Sequence, residues 1–159
     1  MDEVIKVGLG IMLKDGDKVL LGHRSEKYGD TGGIYEPGSW TFPGGKQEYN
    51  ETILEGAVRE TKEETNLDIS DLEVFNVVDD IQPGKHYITI QLIAHKFSGE
   101  LINLEPNKHN QWKWFSLDNL PTNLYTPTRE FIQEYLNRRP TMKSQSKNGK
   151  NFWWKKGQV

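Results

Sequence analysis

Six glutamates fall within residues 43–67, PGGKQEYNETILEGAVRETKEETNL, in a stretch that still carries the apolar periodicity of a helix. That combination constrains the chain more than any other feature. A helix from about Thr52 to Thr65 is expected to follow the Pro43-Gly44-Gly45 turn, bury one stripe and hold carboxylates beside it. With about 100° of rotation per residue, Ile53, Leu54, Ala57, Val58 and Thr61 share one sector, the face expected to meet the core. Glu60, Glu63 and Glu64 line one edge of that stripe over little more than one turn. Gly56 precedes Glu60 on the same edge. Glycine costs a helix ~1 kcal/mol relative to alanine, and its missing side chain would leave room for a ligand or a backbone segment. Arg59 is four residues from both Glu55 and Glu63, so it is expected to pair with either and to hold Glu63 in place.

A solvated helix tolerates glutamate anywhere, so this pattern alone does not define a site. Three carboxylates so close nevertheless repel one another unless protonated or bridged by cations. Oxygen-only ligands favour hard ions, Mg²⁺ or Mn²⁺, over Zn²⁺. The chain has no cysteine, which removes disulfides, thiolate metal sites and cysteine nucleophiles. Residues 138–159 hold seven Lys and Arg and no acidic residue, leaving 13 basic against 23 acidic side chains in residues 1–137. Such an acidic body argues against a nucleic-acid partner. No apolar run approaches the ~20 residues of a membrane span, and the opening MDEVIKVGLG does not read as a secretory signal. A cytoplasmic setting without a membrane partner is the expectation.

The length suits one domain. Residues 4–13 and 18–21 read as a hairpin around 14–17. A glycine-rich loop follows at 25–39, long enough to be functional. Residues 40–42 form a short strand stopped by Pro43-Gly44-Gly45. Strands are predicted at 72–78, 87–97 and 111–116, and a second helix at 128–136, after Pro127. Strands with only two helices predict an α/β or α+β chain with a mixed sheet between helices. Trp112 and Trp114 share one strand face and are expected to pack on the sheet, with stacking on a base as the alternative. The four histidines show no metal-ligand spacing and receive no catalytic role.

The spacing of the acidic helix and its turn matches a known signature. Nudix hydrolases carry GX5EX7REUXEEXGU, with U aliphatic, and this chain resembles them at Gly45, Glu51, Arg59, Glu60, Glu63, Glu64 and Leu67. Two positions depart: Thr61 stands for an aliphatic residue, and Asn66 for the final glycine. Asparagine also tolerates the left-handed conformation of a helix end, and neither change removes a carboxylate. Further segments are similar to MutT-like, nucleotide-sanitising members that cleave nucleoside triphosphates. These are residues 40–46, 86–90, Glu105-Pro106-Asn107-Lys108 and 112–115, and the resemblance covers about 4–137. The loop at 25–39 is longer than in that subgroup, which leaves substrate choice open.

The resemblance implies a Nudix fold, α/β with a mixed β-sheet sandwiched between α-helices, over residues 1–137. Residues 138–159 then form a basic tail carrying Phe152-Trp153-Trp154, either a solvated end or a segment that docks. It implies that Glu60, Glu63 and Glu64, with the Gly44 carbonyl, hold Mg²⁺ or Mn²⁺, and that Arg59 supports them. Glu60 or a residue outside the box would orient the attacking water, and Glu51 would steady the helix start. Arg24 is a phosphate contact or a surface arginine. Tyr87 and Thr89 line the cleft in similar proteins, although Tyr87 suits a core equally, and Glu105 is a candidate further ligand or base. The implied reaction is cleavage of a nucleoside triphosphate, ordinary or oxidised, to NMP and pyrophosphate. ADP-ribose, nucleotide-sugar and pterin-triphosphate pyrophosphatases are rivals, as is a non-catalytic Nudix-fold regulator. Isopentenyl diphosphate isomerase, on the same fold, uses a cysteine that is absent here. A homodimer is expected by resemblance only.

Overall fold

The computed structural model describes residues 3–26 and 36–139. Much of the glycine-rich loop (27–35) and the basic tail from 140 onward, with its Phe152-Trp153-Trp154, lie outside the described residues. In chain order the elements are β1 (Ile5–Asp15), β2 (Lys18–Arg24), β3 (Trp40–Thr41), β4 (Gly44–Lys46), α1 (Ile53–Thr65), β5 (Asp68–Gln82), β6 (Lys85–Ser98), β7 (His109–Ser116) and α2 (Thr126–Arg138). The seven strands form one mixed sheet. At its centre β1 runs parallel to β6, from Ile5↔His86 to Leu13↔Ala94. β5 closes antiparallel on β6. On its other side β1 meets β4 and then β2, turning through Gly16 at φ +63°. β3 and β7 both pair with β2.

Alternation along β1 and β6 builds the two layers. Leu9, Ile11 and Leu13 point with Ile90, Leu92 and Ala94 toward Ala57 of α1. Met12 and Ile93 point the other way, into a cluster with Phe131 and Ile132 of α2 and Phe75 of β5. Phe131 stacks on Phe75 at 5.6 Å and meets Phe42 edge-on at 5.1 Å. The sheet therefore lies between the two helices, as the sequence implied. Burying each such side chain contributes roughly 1.5–3 kcal/mol.

On the α2 side the register carries the face beyond the helix. Met12 and Ile93 are followed by the pairs Gly10↔Gln91, Gly8↔Thr89 and Lys6↔Tyr87. Apolar side chains give way to small and polar ones where α2 stops covering the sheet. This change of character makes a cleft.

Several expectations need correction. Leu54 is 46% exposed, and the buried face of α1 consists of Gly56, Ala57, Thr61, Glu64 and Thr65. The helix is thus rotated toward its carboxylate edge. β5 spans 68–82 rather than 72–78, because Asp68, Ser70, Asp79 and Asp80 break the apolar run and a bulge between Val74 and Asn76 resets the alternation. Gly44–Lys46 is a strand, not only a stop signal. α2 begins at Thr126, with Pro127 inside its first turn, where no N–H is needed. α1 starts with a capping box between Thr52 and Glu55 and ends at Asn66, left-handed at φ +68°, its N–H bonded to the Lys62 carbonyl. No helix among the described residues is long and apolar enough to cross a membrane.

Candidate active site

The cleft has a volume of about 390 Å³, with Gly8, Gly10, Tyr87, Thr89 and Gln91 from the sheet and Thr128 of α2 among its lining. A Cβ at Gly8 would come within 3.3 Å of the Tyr87 ring and 3.4 Å of Thr89 Oγ1, so glycine keeps this part of the floor low. Arg24, at the end of β2, lies over the Tyr125 ring at 4.4 Å and also lines the cleft. Burial pushes the Tyr125 phenol above its ordinary pKa.

His109 begins β7 opposite Arg24. It is buried against Trp112, with ring centroids 4.7 Å apart. Burial, with the nearby charges of Arg24 and Lys108, pushes its pKa down to about 4, so the imidazole is neutral at physiological pH. Gly22 makes room for Trp112, since a Cβ there would lie 2.7 Å from the indole. Trp112 and Trp114 both belong to the core, as their alternation suggested. Gln91 Oε1, Arg24 Nε and His109 Nδ1 are buried without a hydrogen-bond partner. The cleft thus carries Gln91, His109 and Tyr125, which sequence reasoning missed. Gln91 is invisible within an apolar run, and His109 becomes notable only once β2 brings Arg24 beside it.

Next to the cleft, β4 carries the glycine turn against the acidic helix. A Cβ at Gly44 would overlap the Leu9 carbonyl, and one at Gly45 would collide with the Glu60 carboxylate. Glu64 is buried, and its Oε1 accepts the Gly44 N–H at 3.2 Å. Burial, reinforced by neighbouring Glu60 and Glu105, pushes its carboxyl well above the usual range. Burial also raises Glu60, although Arg59 opposes the shift.

Arg59 collects the remaining carboxylates. Its Nε donates to Glu51 Oε2 at 2.5 Å, and Nη1 donates to Glu60 at 3.1 Å and Glu63 at 3.2 Å. Nη2 donates to the Lys46 carbonyl at 2.9 Å, tying helix to strand. Arg59 holds Glu51 below the usual carboxylate range, and these partners raise its own pKa. Glu55, the other expected partner, serves the helix cap instead. Gly56 accommodates protein, not ligand: a Cβ there would lie 2.7 Å from Leu9 and 2.9 Å from Glu51.

Glu105 reaches the site from the segment before β7. The Leu104 N–H donates to the Glu64 carbonyl at 3.2 Å. The Glu105 carboxylate lies 3.3 Å from Lys108 Nζ, an ion pair whose buried Oε1 lacks an aligned hydrogen bond. Glu60, Glu64 and Glu105 therefore gather beside the cleft, while Glu63 is half-exposed on Arg59. Among the described residues no three Asp, Glu or His groups stand in a ready metal-binding arrangement. Arg59 is the cation that Glu60 and Glu63 turn to.

The NUDIX domain model matches residues 4–135. The chain belongs to this family, whose members are hydrolases acting on the pyrophosphate bonds of nucleotides. It is 31% identical over 129 residues to an ADP-ribose pyrophosphatase of Methanocaldococcus jannaschii, covering 80% of this chain and 70% of that protein. It is 33% identical over 97 residues to an 8-oxo-dGTP diphosphatase of Proteus vulgaris, covering 61% and 81%. An NAD-capped RNA hydrolase NudC of Stutzerimonas stutzeri is 27% identical over 126 residues, but the match covers 79% of this chain and only 41% of that longer protein. Among solved structures, a MutT NUDIX hydrolase from Burkholderia pseudomallei superposes with a TM-score of 0.73 at 32% identity, covering 82% of this chain and 98% of that one.

Proposed function

We propose that the protein is a Mg²⁺- or Mn²⁺-dependent pyrophosphohydrolase that cleaves a nucleoside triphosphate, ordinary or oxidised, to NMP and pyrophosphate. The observation that carries this reading is the buried Glu64, which lines the cleft beside Glu60 and Glu105 and, among the described residues, accepts a hydrogen bond from a backbone N–H alone. Buried charge left so poorly compensated is costly. A divalent ion suits an all-oxygen donor set of this kind. Glu60, Glu63, Glu64 and the Gly44 carbonyl would hold it, Glu63 after exchanging its bond to Arg59. The bound metal supplies neutralisation of phosphate charge and of the leaving group.

The chain's own residues supply the rest. Arg59 fixes Glu51 and Glu60 and ties α1 to β4, so it positions the carboxylates. Glu105 is the group outside the box suited to orient or deprotonate water, and Arg24 is suited to meet phosphate. Tyr87 and Thr89 line the nucleoside's place in the cleft. The reading goes with a cytoplasmic setting, where nucleotides and Mg²⁺ are at hand.

A second reading, an ADP-ribose pyrophosphatase, is favoured by the 31% identity to the archaeal enzyme of that name. A non-catalytic nucleotide-binding regulator is disfavoured by the retention of Glu60, Glu63 and Glu64. Glu63→Gln and Glu64→Gln should each abolish turnover with the fold intact, and EDTA should do the same to the wild type. Hydrolysis unchanged in both variants would remove the metal assignment.

A further inference from the structure

The α1 side of the sheet extends past the helix. Leu9 and Ile90 meet α1 there, and the registers Val77↔Ile90, Asp79↔Ile88, Ile81↔His86 and Ile5↔His86 carry the same face outward. Ile88 packs partly against the α1 core, but Ile5, Val77 and Ile81 are 56%, 53% and 68% exposed. Asp79, hydrogen-bonded to His86 Nε2 at 3.0 Å, is the acidic group set among them. Apolar side chains exposed singly need no explanation, whereas a group of them on one sheet face marks an interaction surface.

The described chain ends beside this face. Arg138 Nη1 donates to the Phe75 carbonyl at 2.9 Å, and the guanidinium lies over the Phe75 ring at 4.5 Å. The end of α2 is thereby fixed to β5, the last strand in the pairing order, two residues before Val77. Residues 140–159 follow, with five lysines, no acidic residue and the apolar run Phe152-Trp153-Trp154. Thirteen residues lead from Arg139 to Phe152, up to ~45 Å of extended chain. Reaching Ile81 takes less, roughly 20 Å along β5 and about 10 Å around its edge.

We propose that Phe152-Trp153-Trp154 docks in cis on this face, its rings over Ile5, Val77 and Ile81. Lys150 and Lys155 flank the aromatic run and turn toward Asp79 and the acidic body, in which 23 acidic side chains outnumber 13 basic ones over residues 1–137. Tethering gives the segment a millimolar effective concentration, so a modest contact suffices to hold it. A second copy of the chain fits the face less well, because a symmetric pair would bring two acidic bodies and two Asp79 carboxylates together. Gly8, Tyr87 and Thr89, on the opposite face of β1 and β6, line the cleft. The docked segment therefore backs the cleft without entering it, and the inference holds whichever nucleotide is cleaved.

The test is methyl NMR of the full-length chain, wild type against Trp153→Ala/Trp154→Ala. In the wild type the methyl signals of Ile5, Val77 and Ile81 should carry ring-current shifts that disappear in the variant, while those of Leu13 and Ile132, buried in the two cores, stay in place. The shifts should not change on dilution. A second variant attacks the other partner: Val77→Ser/Ile81→Ser, at two exposed strand positions, with thermal unfolding to check that it remains folded. Trypsin cleavage after Lys150 should then quicken about tenfold or more, the equivalent of losing one docked apolar side chain. Methyl signals that do not respond to the tail substitutions would overturn the proposal, as would unchanged cleavage in a folded Val77→Ser/Ile81→Ser chain. Shifts that fade on dilution would assign the face to a second copy and overturn docking in cis.

Discussion

Replacing Glu64 by glutamine should make the metal-free protein more stable while abolishing its activity. The carboxylate is 5% exposed, accepts one backbone N–H at 3.2 Å and is repelled by Glu60 and Glu105. Glutamine keeps the acceptor oxygen for Gly44 and removes the charge. An under-compensated buried charge costs on the order of 1–3 kcal/mol or more, so Glu64→Gln should gain that much at pH 8 in EDTA. For a domain of this size the gain is about 3–10 °C in Tm. The sign with pH follows from the upward shift of Glu64. A carboxyl raised in the folded state is penalised only where it ionises, so the wild type loses stability as pH rises from the unfolded value through the folded one. The advantage of glutamine should therefore grow as pH rises above the ordinary carboxylate range and vanish by about pH 4. Adding Mg²⁺ should stabilise the wild type by mass action and the variant less. Differential scanning fluorimetry across pH, with and without Mg²⁺, reads all of this. A variant that is less stable than wild type in EDTA at pH 8, or that responds equally to Mg²⁺, would refute the reasoning.

Thr61 is fully buried and its hydroxyl has no partner, so Thr61→Val should add about 1 kcal/mol to the denaturant-unfolding free energy and leave kcat unchanged. Gly45→Ala would set its methyl group into the Glu60 carboxylate; turnover should fall by at least ~100-fold while circular dichroism keeps the native spectrum. NMR titration should find the His109 imidazole neutral down to about pH 4. Its folded pKa lies below the ordinary 6.5, so stability should decline from pH 6.5 toward 4, by at most ~3 kcal/mol, and His109→Phe should flatten that decline.

The helix and its chemistry were legible because they are local. Thr52, Glu55 and Asn66 cap α1 in ways their side chains dictate, and the signature from Gly45 to Leu67 fixes both register and family. The rotation of α1 was misread because Leu54 counts as apolar in any periodicity, while the tertiary contacts bury Glu64 and Thr65 instead. Gly56 suggested room for a ligand or a backbone segment, yet the space is filled by the side chains of Glu51 and of Leu9, some forty-seven residues earlier in the chain. The cleft was legible only in part. Tyr87 and Thr89 follow from the strand, but Gln91 and His109 gain meaning from the β1–β6 and β2–β7 registers, which no local pattern specifies. The length of β5 was hidden by its acidic residues and its bulge.

The most direct test of the central claim is phosphorus NMR of the products formed with Mg²⁺ from a panel of NTPs, dNTPs, oxidised dGTP, ADP-ribose and nucleotide sugars. The account predicts NMP and pyrophosphate from a triphosphate, abolished in Glu64→Gln. Release of orthophosphate instead of pyrophosphate, cleavage of ADP-ribose alone, or no cleavage at all would contradict it.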